Sequence, residues 1–197
     1  MTEPKVKTEV LSAGAKTHIE NIAKQKVYGY DEFVTTKYMD KGIAVEEQSI
    51  ELYNSVFFTS HVKNTERKTN DWITGEADIA TPSKIIDIKS SWSLATFPVT
   101  ASQGKDSAYE WQLRAYMWLW GVDHAEVAYC LVSTPEELLK WEDEKLHYVD
   151  YITPELRVTL VKYERDKELE DKIKTKCEAA NAYLESFTQE IAKQHSF

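Results

Sequence analysis

Residues 72–92 hold the feature that most constrains what this chain can fold into. Two strand-like runs carry one acid each, Asp78 and Asp87, and a short turn through Thr81, Pro82, Ser83 and Lys84 separates them. Side chains alternate across a strand, so Asp87 and Lys89 leave on one face while Ile86 and Ile88 leave on the other, where a core would take them. Paired as a hairpin, the runs bring Asp78 beside Asp87 and Lys89. Two carboxylates and an ammonium then share one small volume. Carboxylates at such range repel unless a cation lies between them. A hard, oxygen-seeking ion such as Mg²⁺ or Mn²⁺ suits that position.

The rest of the chain supplies layers for this hairpin. The spacing of Ala15, Ile19, Ile22 and Ala23 predicts a helix over 12–26, with Ser12 as N-cap and Gly29 past its end. Residues 31–39 read as a short helix or an extended connection. Residues 41–53 read as one amphipathic helix packed on a sheet through Ile43, Val45, Ile50, Leu52 and Tyr53. A strand is expected over 55–63, and a polar turn over 64–71 leads into a hairpin with Arg67 and Lys68 at its tip. These two cations are either solvated or in touch with a phosphate backbone. Residues 99–108 are small and polar and read as a mobile loop beside the acids. The helix over 109–120, closed by Gly121, is apolar nearly all round and so expected between layers. Gln112 and Tyr116 share one of its faces, a polar pair that needs partners there.

Strands are expected over 125–133 and 156–163, with a short helix opened by Thr134 as N-cap and Pro135 in its first position. A long terminal helix over about 166–192 carries Leu169, Ile173, Cys177, Ala180, Leu184 and Phe187 on one stripe. The sum is an α/β chain: a central mixed β-sheet flanked by helices, in a single domain over 1–197.

An apolar fraction of 42% supports a sizeable core, and no run of 18 apolar residues is present to cross a membrane. The N-terminus lacks the apolar region of a secretory signal. Cys130 and Cys177 match no zinc spacing; Cys130 sits in an apolar run, is expected buried, and fits a reducing cytoplasmic setting. A net charge of -9 argues against a protein that coats DNA nonspecifically, yet leaves metal-dependent DNA chemistry open, because a metal site itself needs carboxylates.

Asp78 followed by Asp87-Ile88-Lys89 resembles the PD-(D/E)xK phosphodiesterase superfamily, with Ala77 where that family carries Pro. Gly42, then Glu46 and the Glu51-Leu52-Tyr53 ending, resembles the first motif of the lambda-exonuclease or YqaJ-like viral recombinase nucleases. Gln112-x-x-x-Tyr116 resembles the last motif of the RecB, Cas4 and lambda-exonuclease branch. The resemblance implies a restriction-endonuclease-like core and a metal-dependent DNA exonuclease acting from DNA ends, in phage-type recombination or repair. It implies that Glu46, Asp78, Asp87 and the carbonyl of Ile88 hold one or two Mg²⁺ ions, with Mn²⁺ able to substitute. Lys89 then stands beside the attacking water, as base or as stabilising cation, and Gln112 and Tyr116 orient Lys89 and touch the DNA end. Glu47, about 100° further round the helix, is the solvated neighbour. Ser90 and Ser91 either hold the scissile phosphate or satisfy the strand end.

Implied partners are DNA, a single-strand annealing protein and further copies of the chain in a ring, all in the cytoplasm of a bacterial host if the chain is phage-encoded. Rival readings are an endonuclease or structure-specific nuclease of the same fold, and a catalytically idle nucleic-acid-binding module. In a plain α/β domain with chance acids, Asp78 and Asp87 would be surface-exposed and far from Glu46.

Overall fold

The computed structural model describes Pro4 and residues 8–195. The chain divides into two compact units, one from its two ends and one spanning Thr35–Arg165. In the first, helix α1 (Ala13–Tyr28) starts at Ser12, whose hydroxyl accepts the Ala15 N–H at 3.2 Å, and stops at Gly29 in the left-handed conformation (φ 67°). Its partner is the long C-terminal helix (Lys167–Gln194), opened by the Asp166 carboxylate, which accepts the Glu168 and Leu169 N–H groups. Ile19, Ala23 and Ile173 are buried, and Tyr183 donates to Glu20 at 2.7 Å.

The second unit begins with helices α2 (Lys37–Ala44) and α3 (Glu46–Phe57). Strands β1 (Lys68–Thr69) and β2 (Thr74–Gly75) form a small antiparallel hairpin of their own. Strands β3 (Ile79–Ala80) and β4 (Lys84–Ser90) follow, then helix α4 (Ser107–Trp120), strand β5 (His124–Cys130), the short helix α5 (Glu136–Leu139) and strand β6 (Val158–Glu164). The C-terminal helix is α6. The central sheet runs β3-β4-β5-β6: β3 and β6 are antiparallel to their neighbours, while β4 and β5 are parallel.

Alternation along β4 splits the core in two. Ile86 and Ile88 pack with Val45, Ile50, Leu52 and Tyr53 of the α3 side. Ile85 packs with Leu113 and Met117 of α4 on the other side. A central strand covered on both faces must be apolar throughout, and each fully buried isoleucine contributes roughly 1.5–3 kcal/mol. Asp87, only 1% exposed, is the exception that this strand has to accommodate.

Several expectations are corrected. The helix over 41–53 is broken at Val45 into α2 and α3, so Glu46 is the first residue of a helix rather than one in its middle. No strand forms over 55–63. The α3 helix continues to Phe57, because Phe57 packs on Tyr53 one turn back with ring centroids 4.7 Å apart, and Phe58 ends it in a left-handed conformation. Thr134 does not cap α5; its hydroxyl instead donates to the Trp92 carbonyl and faces His147 Nδ1, each at 3.0 Å, leaving Pro135 at the cap. The 99–108 segment gives its last two residues, Ser107 and Ala108, to α4, and within it Tyr129 donates to the Gly104 carbonyl at 2.8 Å, where a Cβ at Gly104 would stand 2.8 Å from the Tyr129 ring. Cys130 is buried, as its surroundings require.

Candidate active site

The hairpin register decides the site. Ile79 pairs with Ile86, so Asp78 stands opposite Asp87 across the β3–β4 ladder. Thr81 locks the turn: its hydroxyl donates to the Lys84 carbonyl at 2.8 Å and accepts the Lys84 N–H at 2.9 Å. Asp78 Oδ2 accepts the Ile88 N–H at 2.7 Å, which fixes one acid directly onto the strand that carries the other. From outside, the Asn64 N–H donates to the Asp78 carbonyl and its side-chain amide donates to the Ala77 carbonyl.

Lys89 Nζ lies 2.7 Å from Asp87 Oδ2. That oxygen is buried, and the ammonium meets it off the usual hydrogen-bond angle, so Lys89 is a close but imperfect partner. On its far side the Lys89 ammonium stands 4.9 Å from the ring centre of Tyr109, near the start of α4. Glu46 enters from α3, half-buried, with its carboxylate on the ammonium of Lys63. Glu47 is exposed, as one helical step demands.

Helix α3 is pinned to the sheet at two levels. One turn beyond Glu46, the Ser49 and Ser90 hydroxyls are 2.8 Å apart. One turn further, Tyr53 donates to Glu126 Oε1 at 2.5 Å, and Lys84 reaches the same oxygen at 2.7 Å. Helix α2 is pinned by Lys41, fully buried, which donates to the carbonyls of Ser91, Trp92 and Val132 at 2.6, 3.0 and 2.9 Å. All three carbonyls lie just beyond the ends of the parallel strands β4 and β5, the edge at which α/β sheets bind ligands. There a cleft of about 680 Å³ opens, lined by Glu46, Lys63, Asp78, Ile88, Lys89, Ser90, Ser91 and, on its walls, Tyr38, Trp92 and Tyr109.

Burial raises the Asp87 carboxyl above its usual range against the pull of Lys89. Burial also raises Asp78, the charge of Asp87 adds to it, and together they carry it to about 6 despite the Ile88 N–H and Lys89. For Lys89 burial acts downward, but the Asp87 charge and contact prevail and the net shift is upward, so this ammonium is held as a cation. The site thus contains more negative charge than its two lysines relax.

Among the described residues, no group of three or more His, Cys, Asp or Glu stands ready to hold a metal ion. Each candidate carboxylate is instead engaged singly, Glu46 by Lys63, Asp87 by Lys89 and Asp78 by a backbone N–H. The donor chemistry nevertheless fits a hard divalent ion. The acids are all oxygen donors, two are pushed upward by burial, and one buried oxygen lacks a hydrogen-bond partner. An ion held by Glu46 and Asp87 would compete with Lys63 and Lys89 for these carboxylates.

The structure brings together Glu46, Asp78, Asp87, Ile88, Lys89, Ser90 and Ser91. It does not bring Gln112, Tyr116, Arg67 or Lys68 to the walls of this cleft. Gln112 donates to the Tyr116 hydroxyl at 3.0 Å, within α4. Tyr116 packs against Gly75, where any Cβ would meet its ring at 2.4 Å. The α4 residue that touches Lys89 is Tyr109, one turn before Gln112. Arg67 pairs with Glu76, and Lys68 lies over the Trp120 ring. Sequence reasoning missed Tyr109, Lys63 and Lys41. For Tyr109 a signal existed, since it shares the helix face of Gln112 and Tyr116 at i, i+3 and i+7.

A mixed sheet between helices, with Asp78 and the Asp87-Ile88-Lys89 run meeting Glu46 at its edge, defines a nuclease core of the PD-(D/E)xK class. No family model matches the chain, and no curated protein matches it significantly. Solved structures do. A phage-related exonuclease from Haemophilus somnus 129PT superposes with a TM-score of 0.88 at 35% identity, covering 98% of this chain and 91% of that one. An alkaline exonuclease from Laribacter hongkongensis matches with a TM-score of 0.68 at 18% identity, over 94% of this chain and 88% of its own. The same enzyme in complex with dAMP gives a TM-score of 0.67 at 18% identity, over 93% and 86%. The chain belongs to the family of the phage-related exonuclease, within the PD-(D/E)xK nucleases.

Proposed function

We propose that the chain is a divalent-metal-dependent DNA exonuclease that hydrolyses phosphodiester bonds from DNA ends, in phage-type recombination or repair. The observation that carries this reading is the convergence of Glu46, Asp78 and Lys89 on one cleft, with Asp87 buried behind Lys89, in a chain 35% identical to a phage-related exonuclease. That the Laribacter enzyme was solved in complex with dAMP supports a nucleotide ligand for this chain.

In this reading Glu46, Asp78, Asp87 and the Ile88 carbonyl hold one or two Mg²⁺ ions, with Mn²⁺ as substitute. When bound, such an ion lowers the pKa of a water and neutralises phosphate charge. Lys89 stands beside the attacking water, as base or as a cation that stabilises negative charge on the phosphate; in the metal-free protein Asp87 holds it as the cation. Tyr109 limits where its ammonium can go. Ser90 and Ser91 offer hydroxyls to a phosphate at the cleft wall, the former after leaving Ser49. In the same reading Gln112 and Tyr116 stiffen α4 through their shared hydrogen bond, and Arg67 and Lys68 are offered as contacts for a DNA backbone. A single-strand annealing protein and further copies of the chain are the proposed partners, in the cytoplasm of a bacterial host. Among the described residues no helix is long and apolar enough to cross a membrane.

Digestion of linear and circular duplex DNA, with Mg²⁺, Mn²⁺ or chelator, tests this with the wild type and Lys89→Ala. Metal-dependent loss of linear DNA alone, absent in the variant, is expected. Cutting of the circle would replace the exonuclease with an endonuclease. A folded protein that cuts neither would refute the enzymatic reading.

A further inference from the structure

Residues 58–67 carry no regular structure, yet they are built into place. Asn54, near the end of α3, accepts from the Thr59 hydroxyl and the His61 N–H and donates to the His61 carbonyl, at 2.8, 2.9 and 2.8 Å. Asn64 donates through its backbone and its side chain to Asp78 and Ala77, at 2.7 and 2.9 Å. Lys63 sits between these two anchors, so its backbone position is set from both sides. Its ammonium is on the Glu46 carboxylate, and the charges of Asp78 and Glu76 also act on it. A half-exposed lysine on a loop ordinarily points to water. This one is turned into the cleft, onto an acid that the reading above assigns to the metal.

We infer that Lys63 is a built-in counter-ion of Glu46, which a divalent ion must displace, and that it thereby sets the metal affinity of the site. The inference rests on the metal-dependent reading above. The physical argument is one of competition. Glu46 cannot keep a close ammonium and also direct its lone pairs at an ion, and a second positive charge in the cleft repels the arriving one. The lysine stem is flexible and its ammonium strongly hydrated, so it can withdraw to solvent once displaced. Exposed ion pairs are weak, so the device tunes affinity and does not block it. Lys63 is neither on the Asp-x-Lys strand nor in any segment that resembles a nuclease motif; its part follows only from the loop that carries it.

The test is calorimetric titration of Mn²⁺ into the full chain without DNA, for the wild type, Lys63→Met, Lys63→Arg and Lys16→Met. Lys63 is half-exposed, so these variants should fold. Lys16 pairs with Glu9 in the other unit and removes the same charge elsewhere. Lys63→Met is expected to bind Mn²⁺ roughly two- to fivefold more tightly, the range an exposed ion pair can supply. Lys63→Arg should stay near the wild type, and Lys16→Met should not change. Unchanged or weaker binding by Lys63→Met overturns the inference alone. Equal tightening by Lys16→Met also overturns it, by assigning the effect to net charge. A wild type that binds no Mn²⁺ would refute the metal-dependent reading itself, and the inference with it.

Discussion

Asp87 and Asp78 show what a buried acid costs when its partner is imperfect. Above about pH 6 both the folded and the unfolded chain carry Asp78 ionised, and only the folded one suffers its burial beside Asp87. Between about pH 6 and the unfolded value near 4, the folded chain binds more protons, so its stability should rise as pH falls. The expected outcome is a melting temperature of the metal-free protein that climbs from pH 7 to pH 5, with a flatter profile for Asp78→Asn. Lys89 and Asp87 should respond unequally to substitution. Lys89→Met strands a carboxylate that is 2% exposed, a change of the kind that costs about 3–5 kcal/mol unless the acid takes up a proton. Asp87→Asn removes the charge itself, so it should be the more stable variant in urea denaturation and should still abolish cleavage. At this scale the strand acids and Lys89 were legible, because period-two alternation dictates where they point. Lys63 was not, since a loop held by Asn54 and Asn64 has no period to read.

The elements hold the site through a few polar pins. Tyr53, seven residues after Glu46 and so on the same helix face, fastens α3 to Glu126 and Lys84. Tyr53→Phe should cost about 1–3 kcal/mol, because it leaves a buried carboxylate one donor short. It should also weaken Mn²⁺ binding by letting Glu46 drift, with both effects visible in denaturation and titration of one preparation. Helices 12–26 and 109–120 and the hairpin were readable from caps, glycines and apolar spacing. The break at Val45 was not, because the apolar residues on either side keep a continuous pattern across it. The false strand over 55–63 has a related cause. That stretch allows period two, but Tyr53 and Phe57 supply a helical period, and their packing decides for the helix.

Across the whole molecule, the sheet order separates what a sequence shows from what it hides. That strands and helices would form a mixed sheet followed from the pattern of segments. That β4 and β5 are the parallel pair, with their ends forming the cleft, depends on a crossover through α4 that no local signal marks. With a net charge of -9 and both Glu46 and Asp78 on the cleft wall, the metal-dependent reading predicts that DNA binding depends on the ion. In the inactive Lys89→Ala variant, chelator should therefore raise the Kd for duplex DNA about tenfold or more, read by fluorescence anisotropy at fixed salt.

Lys41 joins the start of the chain's central unit to the ends of two strands through a single amine with no contact to solvent. Acylating reagents reach an amine only when it is bare and free, and burial, which lowers its pKa to about 8, does not expose it. In the folded protein it should therefore resist a succinimidyl ester that modifies the exposed lysines within minutes. Label appearing at Lys41 would count the molecules that have opened at least this far, which makes one native side chain an internal clock for unfolding.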